Sequence, residues 1–322
     1  MKRVLANDGI ADNGKKLLEE AGFEVVTEKV EQDQLKSALA DYDALIVRSA
    51  TKVTADVLEG QSRLKIVGRA GVGLDNIDLE AAKQAGVEVV NTPAASSLSV
   101  AELVMGHLFG SVRFLQQSNY EMREAGVSQF KQLKKAYSKG VELRGKTIGI
   151  IGAGRIGQET AKIAFGVGMR ILFHDPYQDQ VTLHMDHLLT TPIPEVKLDT
   201  IPLDQLLQNS DFISLHVPFG KGQKPIIGQD EFAKMKKGAG LVNLARGGAV
   251  EEKALLEALE SGQLSFAALD VFENEPTPDE KLLKHSRVSV SPHIGASTNE
   301  AQGRIAIEMA EKIKGHFEQV EA

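Results

Sequence analysis

Thr147 to Gly157 reads TIGIIGAGRIG, and the interpretation of this stretch decides the fold. Thr147 to Ile151 are β-branched or glycine, a short apolar run with strand character. Gly152, Gly154 and Gly157 follow in the spacing G-x-G-x-x-G. Arg155 and Ile156 then open a helical pattern in which Ile156, Thr160, Ile163 and Ala164 share a face. In a dinucleotide fold Gly152 allows the tight turn, Gly154 lets backbone approach a pyrophosphate, and Gly157 lets helix pack closely on strand. The helix N-terminus offers N–H groups and positive dipole to the phosphates. A second run, Arg170 to His174, ends in Asp175, 18 residues beyond Gly157 and placed to grip adenosine ribose hydroxyls. A carboxylate there repels a 2′-phosphate, which favours NAD over NADP. A ligand-free glycine turn is the weaker reading, because strand, turn, helix, strand and acid all follow in order.

The 322-residue chain is too long for one ordinary core and suggests two domains. Its 42% hydrophobic and 25% charged content is globular, and its net charge of −7 disfavours a nucleic-acid partner. There is no cysteine, which removes disulfides, thiol nucleophiles and thiolate metal sites, and is compatible with a reducing cytosol. Neither a signal-type apolar core at the start nor a membrane-length apolar run is present. The expectation is a cytoplasmic protein without a membrane partner.

Residues 1 to 98 alternate strand and helix patterns, with apolar runs at Arg3–Ala6, Glu24–Thr27, Ala44–Val47, Leu64–Val67 and Val87–Val90. Such alternation implies βαβ units, a parallel sheet, and ligands beyond the carboxyl ends of the strands. Arg48 and Arg69 fall at two such ends and are suited to hold a carboxylate or phosphate. After Arg69 come Ala70, Gly71, Val72 and Gly73, read as an anion-binding loop; Asp75-Asn76 reads as a cap for a helix over 79–84. One long helix is expected from Ser99 to about Gln117, with an apolar surface broad enough to meet a second subunit. His107 on it reads as structural. Lysines 131, 134, 135 and 139 form a charge run, most simply a solvated face, with Lys134 or Lys135 reaching a substrate phosphate as the sharper alternative. The segment 176–200 reads as a surface insertion; His184 and His187 have helical metal-ligand spacing but no convincing third ligand, so no metal is expected.

Four later runs each end in polar or charged residues: Phe212–Leu215 before His216, Leu241–Leu244 before Ala245-Arg246, Phe266–Leu269 before Asp270, and Val288–Val290 before Ser291-Pro292-His293. Oxidising an alcohol beside a carboxylate needs a base, a group that tunes it, a cation for the carboxylate, and a hydride acceptor. His293 suits the base, Glu275 its carboxylate partner, and Arg246 the anchor.

Several segments resemble the D-isomer-specific 2-hydroxyacid dehydrogenases. VRSATKVTADVL (47–58), GRAGVGLDNID (68–78) and VNTPAASSLSVAE (90–102) are most similar to the phosphoglycerate dehydrogenases within that family. The family's strand-terminal A-R-G, D-V-F-x-x-E-P and P-H-x-G-A-S-T motifs stand here at 245–247, 270–276 and 292–298. The resemblance implies catalytic roles for Arg246, Glu275 and His293. It places Asp270 by the nicotinamide carboxamide and lines the cofactor groove with His216, Val217, Pro218, Ala245 and Gly295. It also implies a homodimer built around the 99–117 helix, and oxidation of 3-phospho-D-glycerate, the first step toward serine. A hydroxypyruvate or glyoxylate reductase is the alternative within enzymes, and an NAD-sensing corepressor the alternative outside them. The sequence ends at Ala322, so feedback through the carboxyl-terminal regulatory domains of many phosphoglycerate dehydrogenases is not expected.

An apolar helix over 301–317 follows His293 and is expected to return to the first domain. The fold expected is α/β: a Rossmann NAD-binding domain, residues 99–291, inserted into a discontinuous flavodoxin-like substrate domain, residues 1–98 and 292–322. The two crossings, near Pro93 and Pro292, would form a hinge at a cleft.

Overall fold

The computed structural model describes residues 1–186, 191–220 and 222–321. The chain divides into two units, Met1–Ser99 with Ala296–Ala322, and Val100–Gly295.

The first unit holds β1 (Lys2–Ala6), β2 (Phe23–Val26), β3 (Ala44–Val47), β4 (Ile66–Arg69) and β5 (Glu88–Asn91). All are parallel, in the order β2-β1-β3-β4-β5, which is the flavodoxin-like winding. The central β3 is apolar throughout, and Val4, Leu5, Ala6, Ile66 and Val67 beside it are buried, because helices cover both faces. The Asn299–Glu321 helix buries Ile305, Met309, Ile313 and Phe317 in this core. It approaches closely because Gly14 and Gly68 carry no side chain. A Cβ on Gly14 would stand 2.4 Å from the Ala306 carbonyl oxygen, and one on Gly68 2.3 Å from Met309 Sδ. The helix Leu79–Gln84 is capped by Asp78, which accepts from the Ala81 amide at 3.0 Å, rather than by Asp75-Asn76. Asn76 instead donates to the carbonyls of Arg48 and Thr51.

The second unit is wound around β6 (Thr147–Ile151), β7 (Arg170–His174), β10 (Phe212–Leu215), β11 (Ala239–Asn243), β12 (Leu264–Leu269) and β13 (Val288–Val290). Their order is β13-β12-β11-β10-β6-β7, again all parallel. Strand order reverses beside β6, so the glycine turn after Ile151 sits at the switch point where such sheets bind ligands. Between β7 and β10, the expected surface insertion contains a hairpin, β8 (Gln180–His184) with β9 (Glu195–Asp199). It is part of the core: Val181, Leu183 and Met185 are buried with Phe173 and Ala161. Alternation of Val181 and Leu183 with exposed Gln180 and His184 is the period-2 signal that marks it.

The long helix expected from Ser99 is two, Ser97–Val112 and Leu115–Ala136, bent by 57° where Phe114 adopts left-handed backbone with φ 55°. Val100, Val104, Leu108 and Val112 of the first face the second sheet, whereas Leu115 is exposed. Among the described residues no single helix is long and apolar enough to cross a membrane.

Asp211, at the foot of β10, ties neighbouring strands together by accepting from the Thr147 amide at 2.8 Å and from Lys236 Nζ at 3.0 Å. Burial raises its pKa, but these two donors outweigh burial and the net shift is downward. A carboxylate with a depressed folded pKa contributes stability above the unfolded pKa of about 3.9, lost as pH falls through the folded value. Asp211→Ala is therefore expected to cost about 1–2 kcal/mol at pH 7. The deficit should shrink as pH is lowered below 4, measured by urea denaturation across pH.

Candidate active site

Because all strands of the second sheet are parallel, β10 to β13 deliver their following residues to one edge. Asp270, the residue after β12, is 1% exposed. Its Oδ1 accepts from Ser291 Oγ at 2.5 Å and the Ile294 amide at 2.9 Å, and its Oδ2 from the Gly295 amide at 2.8 Å. These bonds tie the 293–295 turn to the second unit, which runs to Gly295. His293 in that turn has φ 54°, the left-handed region. Its Nδ1 lies 2.8 Å from Glu275 Oε2, and Glu275 Oε1 accepts from the Phe272 amide at 3.0 Å. The carboxylate thus has one oxygen fixed by backbone and one on the imidazole. The side chains are 51% and 37% exposed, so this carboxylate-bonded imidazole can reach a ligand.

Arg246 stands beyond β11. Buried Asn243 shapes its turn, accepting from the Ala245 amide at 3.1 Å and donating to the Arg246 carbonyl at 3.0 Å. The guanidinium donates to the Ala245 carbonyl at 2.7 Å. The next residue, Gly247, lets this turn touch the 270–276 loop: a Cβ there would lie 1.8 Å from the Phe272 carbonyl oxygen. Arg246, Glu275 and His293 therefore sit on adjoining loops of one edge. Asn243 escaped the sequence reading because it looks like an ordinary strand residue; its place two before Ala245 was the available signal.

At the switch point, Gly152 has φ 98°, and a Cβ on it would meet the His216 carbonyl oxygen at 2.5 Å and Val217 Cγ1 at 2.9 Å. A Cβ on Gly157 would meet the Gly152 carbonyl oxygen at 2.1 Å, so helix Arg155–Val167 packs on the turn only with glycine there. A Cβ on Gly154, by contrast, would meet nothing within 4 Å, so that backbone faces open space of the kind a pyrophosphate fills. Asp175 Oδ2 accepts from the Ala153 amide at 2.8 Å and Oδ1 from the Tyr177 amide at 2.9 Å, orienting the acid against the glycine turn. His216 Nε2 pairs with Ser214 Oγ at 2.8 Å, and burial pushes its pKa down to about 3, so it is neutral. Pro218 follows it, and Gly295 leaves room beside Val100 and Asp270 Oδ2.

In the first unit, Arg48 and Arg69 end neighbouring strands, with Val47 in register with Arg69. Asp8 holds the Arg48 turn by accepting from the Arg48 amide at 2.6 Å and from Thr51 Oγ1 at 2.7 Å. Ala70 is buried, its amide bonded to the Val47 carbonyl. In the loop beyond, the Thr92 amide donates to the Gly71 carbonyl and Asn91 Nδ2 to that of Val72. Gly71 has φ 146°, and a Cβ on it would collide with the Arg69 guanidinium. Gly73 is partly buried in the same loop. Lys134 and Lys135 are exposed in the last turn of helix Leu115–Ala136. His184 pairs with Glu195 across the hairpin at 3.2 Å, and His187 lies outside the described residues. Among the described residues no group of three or more metal-type side chains comes together.

A carboxylate-backed imidazole at the same sheet edge as a glycine turn for pyrophosphate is suited to moving a proton while hydride moves to or from a nicotinamide. The class is the doubly wound dinucleotide dehydrogenases. Residues 105–295 match the family model of the D-isomer specific 2-hydroxyacid dehydrogenase NAD binding domain. The chain is 47% identical to the hydroxypyruvate reductase of Thermotoga maritima over 315 residues, 97% of each chain. It is 44% identical to the D-3-phosphoglycerate dehydrogenase of Methanocaldococcus jannaschii, over 98% of this chain but only 57% of that longer protein. It resembles the NAD⁺-bound 3-phosphoglycerate dehydrogenase structure from Entamoeba histolytica with a TM-score of 0.77 and 29% identity, covering 98% of this chain and 95% of that one. The chain belongs to the D-isomer-specific 2-hydroxyacid dehydrogenases and is an NAD-dependent enzyme of that family.

Gly247→Ala is expected to push the arginine turn from the Glu275 loop and lower kcat by about 10–100-fold, since a misplacement of this size has that effect. Steady-state kinetics together with the circular dichroism spectrum check it; the spectrum should be unchanged.

Proposed function

We propose that the enzyme oxidises 3-phospho-D-glycerate to 3-phosphohydroxypyruvate, the reaction that opens serine synthesis, in the cytoplasm. The observation that supports this substrate is that Arg48 follows β3 and Arg69 ends the neighbouring β4, two guanidinium-bearing residues at one edge of the first sheet and of the chemistry that suits a phosphate dianion. In the second unit Arg246 serves as an anchor for the substrate carboxylate; in the first, the amides of Gly71, Val72 and Gly73, with Ala70 setting the start of that loop, serve as an anion-binding loop for the substrate. His293 takes the proton of the C2 hydroxyl. Glu275 fixes the ring through Nδ1, leaving Nε2 to accept, and stabilises the imidazolium that forms. Arg246 polarises the carbonyl oxygen as it develops. Bound NAD supplies the hydride acceptor. Gly152, Gly154, Arg155, Ile156 and Gly157 cradle its pyrophosphate and Asp175 holds its ribose. His216, Val217, Pro218, Ala245, Asp270 and Gly295 line the remainder of its groove, alongside Arg246 and His293.

A second reading has specific support in the relative named hydroxypyruvate reductase, at higher identity than the phosphoglycerate dehydrogenase. Initial rates with phosphoglycerate, glycerate, lactate and glycolate decide between them. Preference for the phosphorylated acid supports the proposal, and equal or better use of glycerate defeats it. Arg48→Ala should raise KM for phosphoglycerate by roughly 10-fold or more and leave KM for glycerate unchanged, as loss of a charge-assisted bond predicts. His293→Asn should lower kcat by about 10²–10⁴-fold, the usual contribution of a general base.

We infer further that the enzyme is a homodimer. Phe109, Leu115, Tyr120, Val127 and Phe130 are exposed along the two helices Ser97–Val112 and Leu115–Ala136, more apolar surface than water favours. Light scattering should give twice the chain mass, and Val127→Asp with Phe130→Asp should reduce it to the monomer.

A further inference from the structure

His107 belongs to none of the roles above, yet it is 4% exposed and hydrogen-bonded through both ring nitrogens. Its Nδ1 lies 2.7 Å from Ser289 Oγ and its Nε2 2.9 Å from Ser291 Oγ, on either side of Val290 at the end of β13. Ser291 Oγ in turn donates to Asp270 Oδ1, the oxygen that also receives the Ile294 amide. An unbroken chain of short bonds therefore runs from the Ser97–Val112 helix to the turn that carries His293.

We propose that His107 is a positioning residue for the reaction. By donating to Ser291 it fixes the Asp270 carboxylate that holds the 293–295 turn. The proton assignments follow from the acceptor at the far end. An ionised carboxylate only accepts, so Ser291 spends its single hydroxyl proton on Asp270 and must accept from His107 Nε2–H. Burial lowers the His107 pKa against the pull of Asp270, so the ring is neutral and its Nδ1 is an acceptor. Ser289 then donates to Nδ1. As placed, Ser289 Oγ donates to Gln116 Oε1 at 3.0 Å, so this assignment requires the opposite orientation of the Gln116 amide, with its NH₂ toward Ser289. Each group then has one consistent role, and the carboxylate accepts from Ser291, Ile294 and Gly295.

Replacing the ring by an apolar one removes the donor from Ser291, whose hydroxyl can then rotate away from Asp270. The carboxylate is freed to swing and the turn loosens at Ile294 and Gly295. Amide exchange at these two residues in the cofactor-free protein reads this directly, with Ile150 and Val4 as control amides in the two sheets. Expected for His107→Phe is a loss of protection at Ile294 and Gly295 of about 10-fold or more, against less than about 2-fold at the controls. Ser291→Ala, a small change at the edge of the fold, should give the same pattern should the first variant not fold. His107→Gln, whose amide can donate to Ser291 and accept from Ser289, should restore protection. The consequence for turnover rests on His293 being the base: kcat should fall about 10-fold with substrate KM within 2-fold. The isotope effect with 4-deuterated NADH should rise. Exchange at Ile294 and Gly295 matching the controls in both His107→Phe and Ser291→Ala would overturn the positioning role, whatever the substrate proves to be. Lost protection with unchanged kcat would instead count against His293 as the base.

Discussion

The buried carboxylate of Asp270 is the interaction on which the catalytic edge depends. His293 occupies left-handed backbone, a conformation that costs a residue with a Cβ about 1–2 kcal/mol. The next two amides both donate to Asp270. Bonds to a charged group contribute about 1.5–3 kcal/mol each, enough to hold the turn against its strain. The turn in turn aims the ring at Glu275. A glycine at 293 would relieve the strain but remove the imidazole paired with Glu275, and the Asp270 bonds anchor the histidine from behind.

The same device recurs in both units: a polar side chain at a strand end binds the backbone of the loop that carries the functional group. Asn243 does so for the Arg246 turn and Asp8 for Arg48. Asn91 secures the Gly71–Gly73 loop, and Asp175 is itself held by two amides. Parallel strands make this economical, because each ends at the same edge and exposes unpaired backbone groups there. Loops so tied keep their side chains in place before a ligand arrives, which is the condition for electrostatic stabilisation of a developing charge.

Both windings were legible in the sequence because continuous apolar runs and the glycine spacing report buried parallel strands and a switch point directly. Five runs, such as Thr147–Ile151 and Phe212–Leu215, coincide with strands to the residue. Glu275 and His293 were read together from their chemistry, and the two side chains stand 2.8 Å apart. The break at Phe114 was not, because a phenylalanine in left-handed backbone leaves no compositional mark. The β8–β9 hairpin was missed because its prolines and polar residues suggested a loop, although Val181 and Leu183 alternate as a strand does. The scaffolding residues were missed for a different reason: their partners are backbone atoms distant in sequence, and nothing local distinguishes Asp8 or Asn243 from a solvated polar residue.

His216 and His293 follow strands of the second unit, His107 reaches the end of β13 from its helix, and physical environment separates the three. His216 is bonded to Ser214 and pushed by burial to a pKa of about 3, so it cannot gain a proton near neutrality. His107 is likewise held neutral by burial, with both nitrogens occupied by serine hydroxyls. A base must instead accept a proton and remain stable as a cation, which demands access to solvent or substrate and a nearby negative charge. Of the three, His293 alone is both half exposed and paired with a carboxylate. Burial turns the other two into fixed donors and acceptors, and a neutral imidazole with both nitrogens engaged can order a serine, a carboxylate and a turn without itself exchanging a proton near neutrality.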